Sequence, residues 1–487
     1  MTVTHTVTIA RRNVLKTLGA TVLGVAGISG TVSAVIDDSL DLDGGLQEVL
    51  VTFDEPESVS LLNDLSLEAG YHAYENLPVA YTKLTGSQIG TVGNWDETRA
   101  VVANAELEWE HDDARRDTNA GAVHDGSDLT QPYTGENVHA VVVDTGIDAS
   151  HPDLEDNVVA NYQWVGDPLE DDGDAVLWED AGLVNTDDVG HGTHCAGSIG
   201  GDGTESDGEF RGMAPDVDLT SYSVNASLTV QKATAAYDHI IDLQRAGEHD
   251  VHLVSNSYGQ GPGEFDPYDP LAVAMWFAME EGILTTFSAG NDGDEDDEHG
   301  RNDSLGIRKQ APYVLSVAAT DDEQAVTGFS SRGDEDGNHD REAAFENVEE
   351  LYSGTPEDEI EGPMALHRPG VAAKGEAVMS TLNPVQPLWA LGDDDELWYG
   401  LLSGTSMSNP VAAGCAALAI DAYIEHYGEP PRPIDVIATL ETTADEGAHE
   451  NYTTRNVGAG YVDALAATER AESGNLATVD EDVDFPP

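Results

Sequence analysis

The run Gly404-Thr405-Ser406-Met407-Ser408-Asn409-Pro410 constrains this chain more than any other. Proline fits only the first turn of a helix, because it lacks an N–H and its ring collides with the preceding turn. Pro410 therefore predicts the start of a small-residue helix from Ser408 to about Tyr427. Ser406 then sits where unpaired backbone N–H groups and the positive end of the helix dipole favour negative charge. That is the setting in which a nucleophilic hydroxyl would develop an oxyanion. Taken alone, the run is equally well an ordinary helix cap, since serine before a helix is common.

Two further runs shift that balance. Val138 to Val143 is apolar apart from His139 and ends in Asp144-Thr145-Gly146. This predicts a buried strand with a carboxylate at its C-terminal end, where parallel α/β sheets place their active sites. In Gly190-His191-Gly192-Thr193-His194-Cys195-Ala196-Gly197, glycines and small residues let a helix start close to its neighbours, with His191 at its beginning. Asp, His and Ser together are the set that makes a hydroxyl nucleophilic near neutral pH. His191 would take the Ser406 proton, and Asp144 would hold the imidazole tautomer and stabilise the imidazolium.

In the order Asp144, His191, Ser406 these runs resemble the subtilisin-like serine peptidases, the subtilases, whose chain order and roles they reproduce. The resemblance extends from about Gly121 to Ala464. It includes Arg211-Gly212-Met213-Ala214-Pro215, Ser255-Asn256-Ser257-Tyr258-Gly259, Ser288-Ala289-Gly290-Asn291, Phe329-Ser330-Ser331-Arg332-Gly333 and Gly460-Tyr461-Val462-Asp463-Ala464. It implies an α/β fold, a parallel-sheet catalytic domain with helices on both faces. Helical stretches such as Thr229–Arg245 and Leu271–Glu281, alternating with strand-like runs, argue the same independently. The resemblance also gives Asn291 the role of oxyanion donor beside the Ser406 N–H. It makes Ser257, Tyr258 and Gly259 a substrate-binding strand that pairs with extended peptide. The opposite wall would be Val224-Asn225-Ala226-Ser227-Leu228, which lacks the glycine common in the family, and Val411 stands where histidine is common.

The chemistry implied needs no cofactor. Ser150-His151-Pro152-Asp153-Leu154 matches a family segment whose aspartate ligates structural calcium, with Asp202, Glu205 and Asp207 on the loop after the His191 helix. Acid is so frequent in this chain that no metal ligand set is assigned. Cys195 and Cys415 are read as buried free thiols, and His194 as structural. A metal site built from His191, His194 and Cys195 would consume the general base.

The ends of the chain imply export. Ala10-Arg11-Arg12-Asn13-Val14-Leu15-Lys16 is a twin-arginine signal, followed by a glycine-rich apolar run to Val32-Ser33-Ala34. Residues 1–34 are thus expected to be removed and the protein to be secreted. No later run is long and apolar enough to span a bilayer. Residues 46–112 read as a small α/β unit, with strand-like Glu48–Phe53, Val79–Leu84 and Val101–Trp109 and a helical Val59–Glu68. In position and pattern this unit resembles the family's inhibitory propeptide, released by cleavage between Glu110 and Ala122, around Arg115-Arg116. The catalytic domain is expected over residues 121–467, as a monomer. Acidic surface insertions are expected at Asp167–Asp188 and Asp334–Glu361, and a mobile acidic tail over 468–487.

Charge supplies the last constraint. Asp and Glu number 93 against 20 Lys and Arg, a net charge of −73, while 40% hydrophobic residues leave enough for a core. Such self-repulsion destabilises a compact fold in dilute buffer. At molar salt the Debye length falls to about 3 Å and most of it is screened. The chain therefore resembles secreted halophilic subtilases. Nucleic acid is excluded as a partner, since phosphate binding needs a basic surface. The expected function is salt-adapted endoproteolysis of extended protein segments. The alternatives are a selective processing peptidase and a catalytically dead, acidic, calcium-binding surface protein on the same scaffold.

Overall fold

The computed structural model describes residues 35–36, 40–42, 44–68, 70–73, 78–103, 113–166, 176–225, 227–259, 261–293, 303–389 and 397–487. The expected export signal lies outside them. The chain divides into two compact units, Met1–Glu108 and Trp109–Pro487. Among the described residues no helix is long and apolar enough to cross a membrane.

In the first unit, Leu46–Phe53 alternates apolar and polar residues, and Val49, Val51 and Phe53 turn inward. It forms β2 of a sheet with β1 (Val35–Ile36), β3 (Tyr71–Ala73), β4 (Val79–Thr85) and β5 (Thr98–Ala103), in the order β1-β5-β2-β4-β3. Only β1 and β5 run parallel. Thr85 and Gln88 form a capping box that starts the helix Gly86–Val92, whose Ile89 and Val92 complete a core with Leu62 and Leu84. The helix expected at Val59–Glu68 is a 3₁₀ helix over Pro56–Asp64.

The second unit is built on an eight-stranded sheet. Its strands are β6 (His139–Asp144), β7 (Val158–Trp164), β8 (Trp178–Asp180), β9 (Asp218–Ser223), β10 (Leu253–Asn256), β11 (Leu284–Ser288), β12 (Val314–Thr320) and β13 (Val371–Lys374). The order is β13-β12-β11-β10-β6-β9-β7-β8, parallel throughout except for β8. Strands such as β6, β10, β11 and β12 are buried along their whole length, as a sheet covered on both faces requires. After β6 the chain goes to one side of it (β7, β9) and then returns to the other (β10). The loops leaving β6 and β10 diverge there, at the switch point where such sheets open a crevice. A separate hairpin pairs β14 (Val378–Thr381) with β15 (Tyr399–Leu402).

The helix Thr405–Tyr427 packs across β10 to β13, and the helix His191–Gly200 packs on it. The longer helix starts three residues before the expected Ser408, so Pro410 is its sixth residue and not in its first turn. Pro410 donates no bond to the Ser406 carbonyl one turn back, and that oxygen needs other partners.

Three expectations about the periphery change. The acidic stretch 334–361 contains the helix Arg341–Tyr352, which buries Phe345, Val348 and Leu351. Arg115 and Arg116 lie in the helix Asp113–Asp117, and Ala114 and Ala120 belong to the main core, so that core begins before Gly121. The tail is docked over much of its length. Residues 464–472 are helical, the Ala477 N–H donates to Thr439 Oγ1 at 2.9 Å, and Arg470 pairs with Glu481 at 2.8 Å. The Arg368 guanidinium lies 4.7 Å from the Phe485 ring centre.

Candidate active site

Asp144 ends β6 and is 5% exposed. The helix carrying His191 is pressed against the loop that follows, and Gly192 makes this approach feasible. A Cβ there would sit 2.1 Å from the Gly146 oxygen and 3.0 Å from the Asp144 Cβ. Asp187 organises the turn into that helix. Its Oδ1 accepts from Thr145 Oγ1 and from the Val189 and Gly190 N–H groups, and its Oδ2 from the Thr193 N–H and hydroxyl. The stretch Asp167–Asp188, expected as surface insertion, thus ends in a buried organising carboxylate.

The result is a contact of 2.8 Å between His191 Nδ1 and Asp144 Oδ1. The carboxylate fixes the proton on Nδ1 and leaves Nε2 as the basic nitrogen. Burial disfavours the charged imidazole, but the Asp144 charge, Cys195 and the hydrogen bonds to both together outweigh it and raise the His191 pKa well above its usual value.

Ser406 is the second residue of its helix, so its N–H is an orphan donor. Its hydroxyl donates to the Ser257 carbonyl at 3.1 Å and not to His191. In return, Ser257 Oγ donates to the Ser406 carbonyl at 2.9 Å, and Cys195 Sγ approaches the same oxygen at 3.4 Å. These are the partners that Pro410 makes necessary. Cys195 Sγ is also 3.9 Å from His191 Nδ1, which places the serine and histidine segments around one buried sulfur. Burial raises the Cys195 pKa, so the thiol is neutral at pH 7.

Asn291 is oriented by the same helix end. Its Oδ1 accepts the Thr405 N–H and the Thr405 hydroxyl, both at 2.9 Å. An N–H donor can only face the amide oxygen, so Nδ2 is left over as a donor beside Gly404. On the other wall, Tyr258 donates its hydroxyl to Asn256 Oδ1 at 2.7 Å and sets its ring edge-on to Phe287, leaving Gly259 exposed. Val224, from the opposite stretch, donates its N–H to the Asp144 carbonyl at 3.0 Å. Ala226 lies outside the described residues.

Asp144, His191, Ser406, Asn291 and Ser257 therefore converge from five separate segments. The reading of the residues did not foresee the roles of Ser257 Oγ, Cys195 and Asp187. A proline inside a helix was the available signal for the first two, since it strips a carbonyl of its donor.

Of the residues considered for calcium, Asp153 and Asp202 are engaged by the protein's own donors. Asp153 Oδ1 accepts the Glu205 N–H and its Oδ2 the Tyr399 hydroxyl, while Asp202 accepts the Thr204 N–H and hydroxyl. Both cysteines are free and buried. The His194 Nε2 faces the carbonyls of Val378 and Gly400, and burial lowers its pKa to about 4.

The chain belongs to the subtilase family, whose pattern matches residues 135–460. Serine protease AprX of Bacillus subtilis (strain 168) is 28% identical over 305 residues, covering 60% of this chain and 58% of that protein. A subtilisin of Bacillus sp. (strain TA39) is 30% identical over 302 residues, covering 61% of this chain and 59% of that protein. The chain thus spans less than two thirds of either relative. Among solved structures, the S41 psychrophilic protease superposes with a TM-score of 0.51 at 24% identity, covering 71% of this chain and 96% of its own, a likeness of fold.

Proposed function

We propose that this protein is a secreted, salt-adapted serine endopeptidase that cleaves extended protein segments through an acyl-enzyme. The 2.8 Å pairing of Asp144 with His191, on the rim that also holds Ser406 and Asn291, is the observation that carries the reading. Ser406 Oγ turns about χ1 from the Ser257 carbonyl to His191 Nε2, a rotamer change of the kind unliganded sites await. His191 takes the proton as Oγ attacks the substrate carbonyl. Asn291 Nδ2 and the Ser406 N–H receive the oxyanion. His191 then protonates the leaving amine, and water reverses the sequence on the acyl-enzyme.

The same reading assigns the twin-arginine run at Arg11-Arg12 to export. It assigns the 46–112 unit to inhibition before maturation, and the net charge of −73 to life in concentrated salt. The purified full chain is to be incubated with casein in molar salt and labelled with a fluorophosphonate. A broad ladder of fragments with label on Ser406 supports the proposal. Cleavage confined to basic sites points to a processing peptidase. Neither fragments nor label means a dead scaffold, and full activity in dilute buffer refutes the salt adaptation.

A further inference from the structure

Lys309 is a buried cation beside the candidate active site. It lies in the 3₁₀ turn Ile307–Gln310 and is 5% exposed. Its ammonium is 5.8 Å from the Phe287 ring centre. It is also 2.7 Å from where a Cβ would stand on Gly259 and 3.2 Å from where one would stand on Gly290. The charge therefore occupies the gap between the segments that extend β10 and β11. These segments frame the reacting serine. The Ser257 carbonyl accepts the Ser406 hydroxyl, and the Gly290 N–H donates to Thr405 Oγ1 at 3.0 Å. The absence of side chains on Gly259 and Gly290 leaves the ammonium room between them.

The charge next to it is already neutralised. Arg308 forms a two-pronged pair with Asp269, at 2.7 Å on each side. Lys309 has no such carboxylate within ion-pair distance among the described residues. Burial pushes its pKa down to about 8, opposed by the more distant charge of Asp292. At neutral pH the ammonium is mostly charged, and a buried charge without a counter-ion is costly. A carboxylate arriving with the substrate would remove that cost. Asn291 directly follows Gly290, which lines this gap, so a substrate carbonyl oxygen held by Asn291 Nδ2 and the Ser406 N–H would bring the side chain of its own residue toward it.

We propose that Lys309 is the specificity-determining residue of the cleft, pairing with an aspartate or glutamate side chain on the residue whose carbonyl Ser406 attacks. The inference rests on the endopeptidase reading above and adds its substrate class. A net charge of −73 repels acidic peptides at long range, but molar salt screens that repulsion while a buried contact is screened much less.

The test compares blocked peptide anilides that differ only in the residue before the scissile bond: Glu, Gln, Asp, Asn, Ala, Phe and Lys. They are assayed with the purified full chain at pH 7 in molar salt. kcat/KM is expected to favour Glu over Gln, and Asp over Asn, by about 10²-fold, as for a buried charge-assisted pair set against a neutral isostere. Lys309→Met should bring the Glu/Gln ratio to about one, and Lys309→Glu should turn the preference toward Lys. A wild-type ratio near one, or a preference for Ala or Phe, overturns the inference. A Glu preference that survives Lys309→Met does the same. In those cases casein is still cut and Ser406 still labelled, so the endopeptidase reading stands. Loss of casein cleavage and of labelling in the wild type removes both. Should the Lys309 variants not fold, the wild-type ratios decide alone.

Discussion

Glu441 and Ser406 sit in the same unit with their hydrogen-bonding capacity used in opposite ways. Both Glu441 oxygens are held by two forks, Arg341 at 2.6 and 2.9 Å and Arg368 at 2.6 and 3.1 Å. The arginines also donate to the carbonyls of Pro312, Val314, His339 and Pro369. Burial alone would raise the Glu441 pKa, but the two guanidinium groups hold it at about 2. At the catalytic rim donors are left over: Asn291 Nδ2, the Ser406 N–H, and a hydroxyl parked on a neighbouring carbonyl. A cluster that satisfies itself holds the fold. One that keeps donors in reserve is waiting for a ligand, and the price is paid in lost internal contacts.

Substitutions can break this contrast at either end. Ser406→Ala should lower kcat by about 10⁶ while costing no more than about 1 kcal/mol of stability for the lost hydroxyl bond. A residual rate near wild type would remove Ser406 from the chemistry. Asp144→Asn should lower kcat by about 10⁴. Hydrolysis needs neutral imidazole, so the wild-type acid limb should fall above pH 6.5, because His191 is raised from that value mainly by Asp144. The variant's acid limb should move down, and an unmoved limb would contradict the assignment.

Glu441→Ala leaves two buried arginines unpaired and should cost about 3–5 kcal/mol in denaturant titration, with kcat of the folded fraction unchanged. The Glu441 pKa is below its unfolded value of 4.5, so its contribution is present above that pH and lost as pH falls toward about 2. Asn291→Ala should remove about 3 kcal/mol of transition-state stabilisation, seen in kcat with little change in KM. A shift in KM alone would make Asn291 a binding group. Ser257→Ala, the mildest change, should cost about 1 kcal/mol of stability. If instead kcat falls as far as with Asn291→Ala, the hydroxyl has a catalytic part.

Much of this was legible in the residues. The run ending at Asp144 reads as a buried strand because β-branched residues fill it, and it does form the centre of the sheet. Asp144 and His191 meet as their motifs require. What escaped depends on distance in space. Ser257 and Ser406 are 149 residues apart, and Cys195 and Ser406 are 211. No local pattern couples them. Asp187 was hidden because one organising carboxylate looks like any other in an acidic stretch. The tail was misjudged because its acid content outweighed two short signals, Ala477 and Phe485, that dock it.

Ser257 and Ser406 exchange hydroxyls, each gripping the other's main-chain oxygen. When one grip opens for the attack, the other remains. In the proposed reaction Ser406 would thus stay fastened to the strand that would align the incoming peptide. On that reading bond-making and peptide alignment would share a single joint, and an error of register in one would be transmitted to the other.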